Sequence, residues 1–355
     1  MNGNKKLWAA LSISGLTLSA CGGGGSGGTG PNNAAISAQA ACTISATGPF
    51  VAVSLTGQVG QAQFSNGGAV LSYSSYPSSF AGNTLGGTLD LIKDPNNTGV
   101  CMDKSGTSNS MRTTLQSNGV IGISHATVNG VDEPVVLLAQ SALVSNSNLS
   151  NLAGTYDLLR YQTDSTNGGE TRSSYATSTV DSSGNWSMCK NAPSCTTPTA
   201  TGTYNALAGN GYEFEFASGG LVRGDSFIVN DGASQILVNA EHDTGSGLVQ
   251  GLHFGMAQAA WSTLSGPYAV NTTDGVAQQT VVYDSSTISG SGGTRVSLTT
   301  DSPIRGLATA TAADGVTLNY LLDSPSGLFV DASNTSNNFT AGPGYFAFGI
   351  IPPTQ

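Results

Sequence analysis

Three short segments of this chain repeat one another. Gly48-Pro49-Phe50-Val51-Ala52-Val53 resembles Gly266-Pro267-Tyr268-Ala269-Val270, and Gly154-Thr155-Tyr156-Asp157-Leu158-Leu159 has the same shape. Each is a glycine, one small or rigid residue, an aromatic, then apolar positions. The starts lie 106 and 112 residues apart. The stretches before two of them also agree. Leu138-Ala139-Gln140-Ser141-Ala142 resembles Met256-Ala257-Gln258-Ala259-Ala260, and Leu152-Ala153-Gly154 parallels Leu264-Ser265-Gly266. Apolar strand candidates close each unit, at Pro134–Ala139, Gly251–Ala257 and Gly344–Ile351. Agreement at both ends of a long period marks tandem structural units. The chain is therefore expected to build one small fold about three times, over residues 42–140, 141–260 and 261–355.

Within a unit, short apolar or alternating runs are separated by turn residues. Thr177–Val180 is followed by Asp181-Ser182-Ser183-Gly184, and Tyr212-Glu213-Phe214-Glu215-Phe216 by Ser218-Gly219-Gly220. The second run alternates aromatic and carboxylate, which puts one face in a core and the other in water. Thr280–Tyr283 and Thr317–Leu322 look alike. Runs of this kind every 8 to 12 residues imply an all-β fold, with antiparallel strands in sandwiches or small barrels. The equivalence also predicts that Phe50, Tyr156 and Tyr268 are buried at the start of each unit's first strand. Gly48, Gly154 and Gly266 are then expected where φ is positive or a side chain would crowd the turn. A Gly-x-aromatic at this place is similar to the opening strand of lipocalin-like barrels, which implies a binder of a small apolar ligand as one reading.

The first residues carry a different message. Lys5 and Lys6 precede Leu7–Leu18, twelve mostly apolar residues, too few to span a bilayer but right for a signal peptide. Leu18-Ser19-Ala20-Cys21 follows and resembles the lipobox of bacterial lipoproteins. That resemblance implies cleavage before Cys21, a diacylglycerol on its sulfur, and acylation (palmitate or similar) of the new amino terminus. An ordinary secretory signal ending at Ser19-Ala20 would leave Cys21 incidental, but three agreeing features favour lipidation. Two or three acyl chains suffice for stable anchoring. Residue 22 is glycine, not the aspartate that similar lipoproteins use for inner-membrane retention, so the expected destination is the outer membrane, on its periplasmic or its surface side. Residues 1–20 are thus read as signal. Residues 21–41 are read as lipidated cysteine and Gly-rich tether, reaching on the order of 20 Å over Gly22–Asn33.

The signal contains both Lys5 and Lys6 and no acid, so the mature chain carries nine basic residues against 21 acidic ones, a formal charge of −12. Nucleic-acid binding needs a basic patch, and none is encoded. Charged residues are only 9% of the chain, with Gly, Ser, Thr and Asn in their place. Four cysteines remain beside Cys21. An even count in an oxidising compartment implies two disulfides, with four buried thiols as the alternative. Cys189 and Cys195 flank a short loop containing Pro193, which suggests a local bridge, and Cys42–Cys101 follows by elimination.

Several motifs suggest chemistry. Asp243-Thr244-Gly245-Ser246 matches the aspartic-protease signature, yet no second copy exists to supply the paired carboxylate. A polar hairpin turn explains it as well. Gly224-Asp225-Ser226-Phe227 resembles the opening block of GDS-type esterases but lies mid-chain among strands, with no downstream Asp-x-x-His. Arg223-Gly224-Asp225-Ser226 is also an adhesion tetrapeptide, functional only on an exposed loop tip. His125, His242 and His253 do not sit at metal-ligand spacing. No catalytic, cofactor-binding or metal residue is assigned. The expectation is a non-enzymatic envelope lipoprotein that binds a protein partner or serves structurally, then an apolar-ligand binder, then an envelope hydrolase.

Overall fold

The computed structural model describes residues 40–46, 48–78, 85–105, 111–128, 130–164, 170–217, 222–232, 234–243, 249–263, 265–273, 277–289, 295–311, 317–323, 327–333 and 344–353. The signal, Cys21 and the tether as far as residue 39 lie outside the described residues.

The first unit runs through β1 (Phe50–Ser54), β2 (Val59–Ser65), β3 (Val70–Ser74), β4 (Gly87–Lys93), β5 (Cys101–Asp103), β6 (Arg112–Leu115), β7 (Ile121–Val128) and β8 (Val131–Ala139). Each strand pairs antiparallel with the next, and β8 returns to β1 with Phe50 opposite Ala139, which closes an eight-stranded barrel. The second unit repeats the plan with β9 (Gly154–Asp164), β10 (Glu170–Val180), β11 (Asn185–Lys190), β12 (Ala200–Ala206), β13 (Tyr212–Phe216), β14 (Val222–Asn230), β15 (Gln235–Asp243) and β16 (Val249–Ala257). Here β16 closes on β9, with Ala257 opposite Tyr156.

The third unit holds β17 (Gly266–Thr272), β18 (Ala277–Asp284), β19 (Thr287–Ser289), β20 (Arg295–Ser297), β21 (Thr299–Thr300), β22 (Leu307–Thr311), β23 (Thr317–Asp323), β24 (Leu328–Ser333) and β25 (Phe346–Ile350). Its first and last strands, β17 and β25, pair as in the other units, and the sheet ends at β20 and β21. Only Leu298 separates those two strands. Arg295–Ser297 bonds to β19 and Thr299–Thr300 to β22, so one broken strand carries the sheet across the seam. Counted that way, every unit has eight strands among the described residues, and the third barrel is nearly closed.

Side-chain parity assigns two cores to each barrel. In β9, Tyr156 and Leu158 point into the lumen, while Leu159 and Tyr161 point outward. The three lumens hold separate clusters, one around Phe50, Phe64 and Leu71, one around Tyr156, Trp186 and Phe214, and one around Tyr268, Tyr320 and Phe329. The outward faces meet in a fourth cluster, shared by all three barrels, with Val53 and Leu138 from the first, Phe227 and Phe254 from the second, and Val330 and Phe348 from the third. Strands buried on both faces need apolar residues at every position. That is why the closing strands read as continuous apolar runs, and β25 is buried along its whole length.

Phe50, Tyr156 and Tyr268 occupy matching places, each buried and lumen-facing near the start of its unit's first strand. Gly48 and Gly266 take positive φ, at 113° and 154°. Gly154 departs from the expectation. It has no positive φ, and an added Cβ would lie 3.6 Å from the Tyr156 ring, an ordinary contact. The aromatic and not the glycine is the constant part of the motif. Along β13, Tyr212 and Phe214 are buried and Glu213 and Glu215 only partly so, as the alternation implies.

Candidate functional site

The lumen of barrel 2 changes character along its axis. One end is filled by Tyr156, Leu158, Trp186, Tyr204, Tyr212 and Phe214, with aromatic pairs such as Trp186–Phe216 edge to face at 4.8 Å. The other end is charged. Arg160 and Gln162 on β9, Arg172 and Ser174 on β10, Lys190 on β11, Glu241 on β15 and His253 on β16 converge there. Arg160, Glu241 and His253 are each at most 2% exposed. Strand register makes the meeting possible, because Arg160 lies directly opposite His253 and both share a lumen-facing parity with Asn239 and Glu241.

His253 Nε2 stands 2.7 Å from Glu241 Oε2 and 3.1 Å from Arg160 Nε. Gln162 Nε2 donates to the same Glu241 oxygen, and Arg172 Nε donates to Gln162 Oε1 at 3.0 Å. Arg160 Nη1 donates to Ser174 Oγ at 3.3 Å, while Nη2 lies 3.9 Å from Glu241 Oε2 and makes no hydrogen bond. Burial would raise the Glu241 pKa, but His253, Arg160 and Lys190 outweigh it and hold the carboxyl well below its usual range. Burial and the Arg160 charge depress His253 to about 4, against the pull of Glu241. Repulsion from Arg160, then burial, lowers Lys190 to about 7. At neutral pH the lumen thus holds an ionised Glu241, a cationic Arg160 and a neutral imidazole, whose Nε2 accepts from Arg160 Nε–H in one tautomer and donates to Glu241 in the other.

Chemically this arrangement is a buried hydrogen-bonded network of cationic side chains around one carboxylate, Glu241. The void bordering it, lined by His253, Asn239, Ser178, Trp186 and neighbouring apolar groups, measures about 10 Å³. Small-molecule sites occupy roughly 300–1,000 Å³. An imidazole near pKa 4, sealed from substrate, is poorly matched to proton transfer at neutral pH.

The motifs suggested by sequence fall elsewhere. Gly224, Asp225 and Ser226 are buried inside β14, so the adhesion tetrapeptide is no loop tip, and Asp225 instead accepts a hydrogen bond from Ser78 of barrel 1. Ser226 is fully buried and stands between Tyr212 and Asn239 in the sheet register. Asp243 ends β15, and Thr244-Gly245-Ser246 lies outside the described residues. His125 is buried in β7, 4.0 Å from Asp103. His242 faces outward, toward the turn between β1 and β2; burial lowers its pKa, against Asp225, the Gly57 backbone and Glu241. The three histidines thus occupy three separate environments. The cysteines stand at disulfide distance in two pairs, Cys42 with Cys101 at a Cα separation of 5.9 Å and Cys189 with Cys195 at 5.4 Å. Cys42 and Ile44 reach into the lumen core of barrel 1, so the first pair fastens the incoming chain to that barrel.

Arg160 and Glu241 were not singled out from sequence. Their signal is an ionisable residue inside an apolar strand run, as in Leu158-Leu159-Arg160-Tyr161 and Val238-Asn239-Ala240-Glu241. No family model, curated protein or solved structure matches this chain.

Proposed function

We propose that this chain is a lipid-anchored, non-enzymatic protein of the cell envelope, held at the outer membrane through Cys21. It acts as a rigid scaffold that engages a protein partner or supports the envelope from its outer surface. The carrying observation is the aromatic filling of the barrel 2 lumen, where the void that Trp186, Asn239 and His253 border among the described residues measures about 10 Å³, far below the space a small apolar ligand needs. The lipobox and Gly-rich tether support the anchorage.

Two measurements test the proposal. Cells grown with a clickable fatty acid should label the wild type, in outer-membrane fractions, and leave Cys21→Ser unlabelled and unprocessed or soluble. Equal label in both removes the anchor. Native mass spectrometry of the purified mature chain should show the mass of the polypeptide with its covalent lipid and nothing more, and a stoichiometric non-covalent apolar molecule carried through purification would overturn the scaffold reading.

A further inference from the structure

The aromatic and charged halves of the barrel 2 lumen meet at a void of about 10 Å³. A water needs roughly 10–15 Å³ of such space together with two to four polar partners. Two of the side chains around it carry buried polar atoms without hydrogen bonds, the Trp186 indole Nε1 and the Asn239 Oδ1. The first can only donate and the second can only accept. Trp186 is 5% and Asn239 4% exposed, so bulk solvent satisfies neither. Asn239 spends its amide on Tyr204, donating from Nδ2 to the phenol oxygen at 3.5 Å, which leaves the carbonyl oxygen for another donor. Ser178, Tyr204 and His253 complete the polar part of the lining.

We propose that one water molecule is built into this position, accepting from Trp186 Nε1–H and donating to Asn239 Oδ1. Leaving both a buried donor and a buried acceptor unmet costs more than immobilising one water that meets them. A single water meeting both is therefore the favourable state of this void. It joins the aromatic packing to the strand that carries Glu241, two residues along β15 from Asn239.

The mature chain, with both cysteine pairs oxidised, allows a direct test by NMR. Trp8 lies in the signal, so two indole N–H signals remain, and Trp261→Phe assigns them. The Trp186 indole proton should show a cross-peak to the water resonance while resisting exchange into deuterium oxide. Ser178→Ala and Tyr204→Phe should keep that cross-peak, since hydroxyl relay is not its source. Asn239→Leu should lose it. A wild-type Trp186 indole with no water cross-peak overturns the proposal. So does a cross-peak that disappears with either hydroxyl, or one that survives in a folded Asn239→Leu. If that variant fails to fold, the wild-type spectrum and the hydroxyl variants still decide.

Discussion

Without the Glu241 carboxylate, Arg160 and Lys190 would repel each other inside the lumen of barrel 2 with much less to offset them. Breaking a buried ionic partnership from one side costs about 3–5 kcal/mol, because the remaining charge stays buried and uncompensated. Glu241→Ala should lose stability of that order in urea unfolding. Arg160→Met combined with Glu241→Leu should cost clearly less than the two single losses added together; simple additivity would mean the two groups do not act as a pair. Asp157, on the outward face of the same strand β9, makes a pH-dependent prediction. Burial raises its pKa to about 7, against the Gln258 hydrogen bond and Arg305. The folded state therefore holds a proton that the unfolded chain releases near 3.8, so this group's contribution to stability falls as pH rises from about 4 to 7. Asp157→Asn should remove that decline and exceed the wild type at pH 8 by on the order of 3–4 kcal/mol, with little difference near pH 4. Denaturant titrations at the two pH values check it. These residues were hard to read from sequence because a charge in a strand betrays its burial only once the neighbours on both faces are known.

Elements were more legible than residues. The Gly-x-aromatic starts and the apolar closing runs identify the strands that meet at each barrel's closure, because a strand between two cores cannot alternate. Truncating Phe50, Tyr156 or Tyr268 to alanine should cost about 3–5 kcal/mol in each barrel, and Ser182→Ala in an exposed turn under ~0.5. Thermal unfolding of the four variants tests the equivalence. Two things escaped the sequence. The strand broken at Leu298 carries no pattern that distinguishes it from a loop, since β20 and β21 are two or three residues long. The fit between barrels is also invisible locally. Gly57, at φ +73°, turns between β1 and β2 against the backbone of barrel 2, where an added Cβ would lie 2.6 Å from the Gly251 oxygen and 2.9 Å from that of Glu241. Gly57→Val should therefore destabilise by at least ~2 kcal/mol, through both the backbone conformation and the clash, and a neutral result would place this turn away from barrel 2.

At the scale of the whole molecule, the three barrels are joined by more than chain connectivity. Polar contacts cross each junction. The Asn271 amide accepts from the Arg112 backbone N–H at 2.8 Å and donates to the Ser124 carbonyl at 3.0 Å, tying the third barrel to the first. Ser173 and Ser333 join the second to the third, and Tyr76 donates to the Gly209 carbonyl between the first and second. The shared apolar cluster supplies most of the cohesion, since its side chains leave water only when the barrels come together. With an apolar cluster common to all three, these barrels should unfold as one cooperative body and not as three beads on a string. Hydrogen exchange followed by mass spectrometry in graded urea, on the wild type and on Phe254→Ala, tests it most directly. Slowly exchanging strands of all three barrels should open in one common step, which the variant lowers by about 3–5 kcal/mol in every barrel. Separate opening steps, or a loss confined to barrel 2, would contradict it.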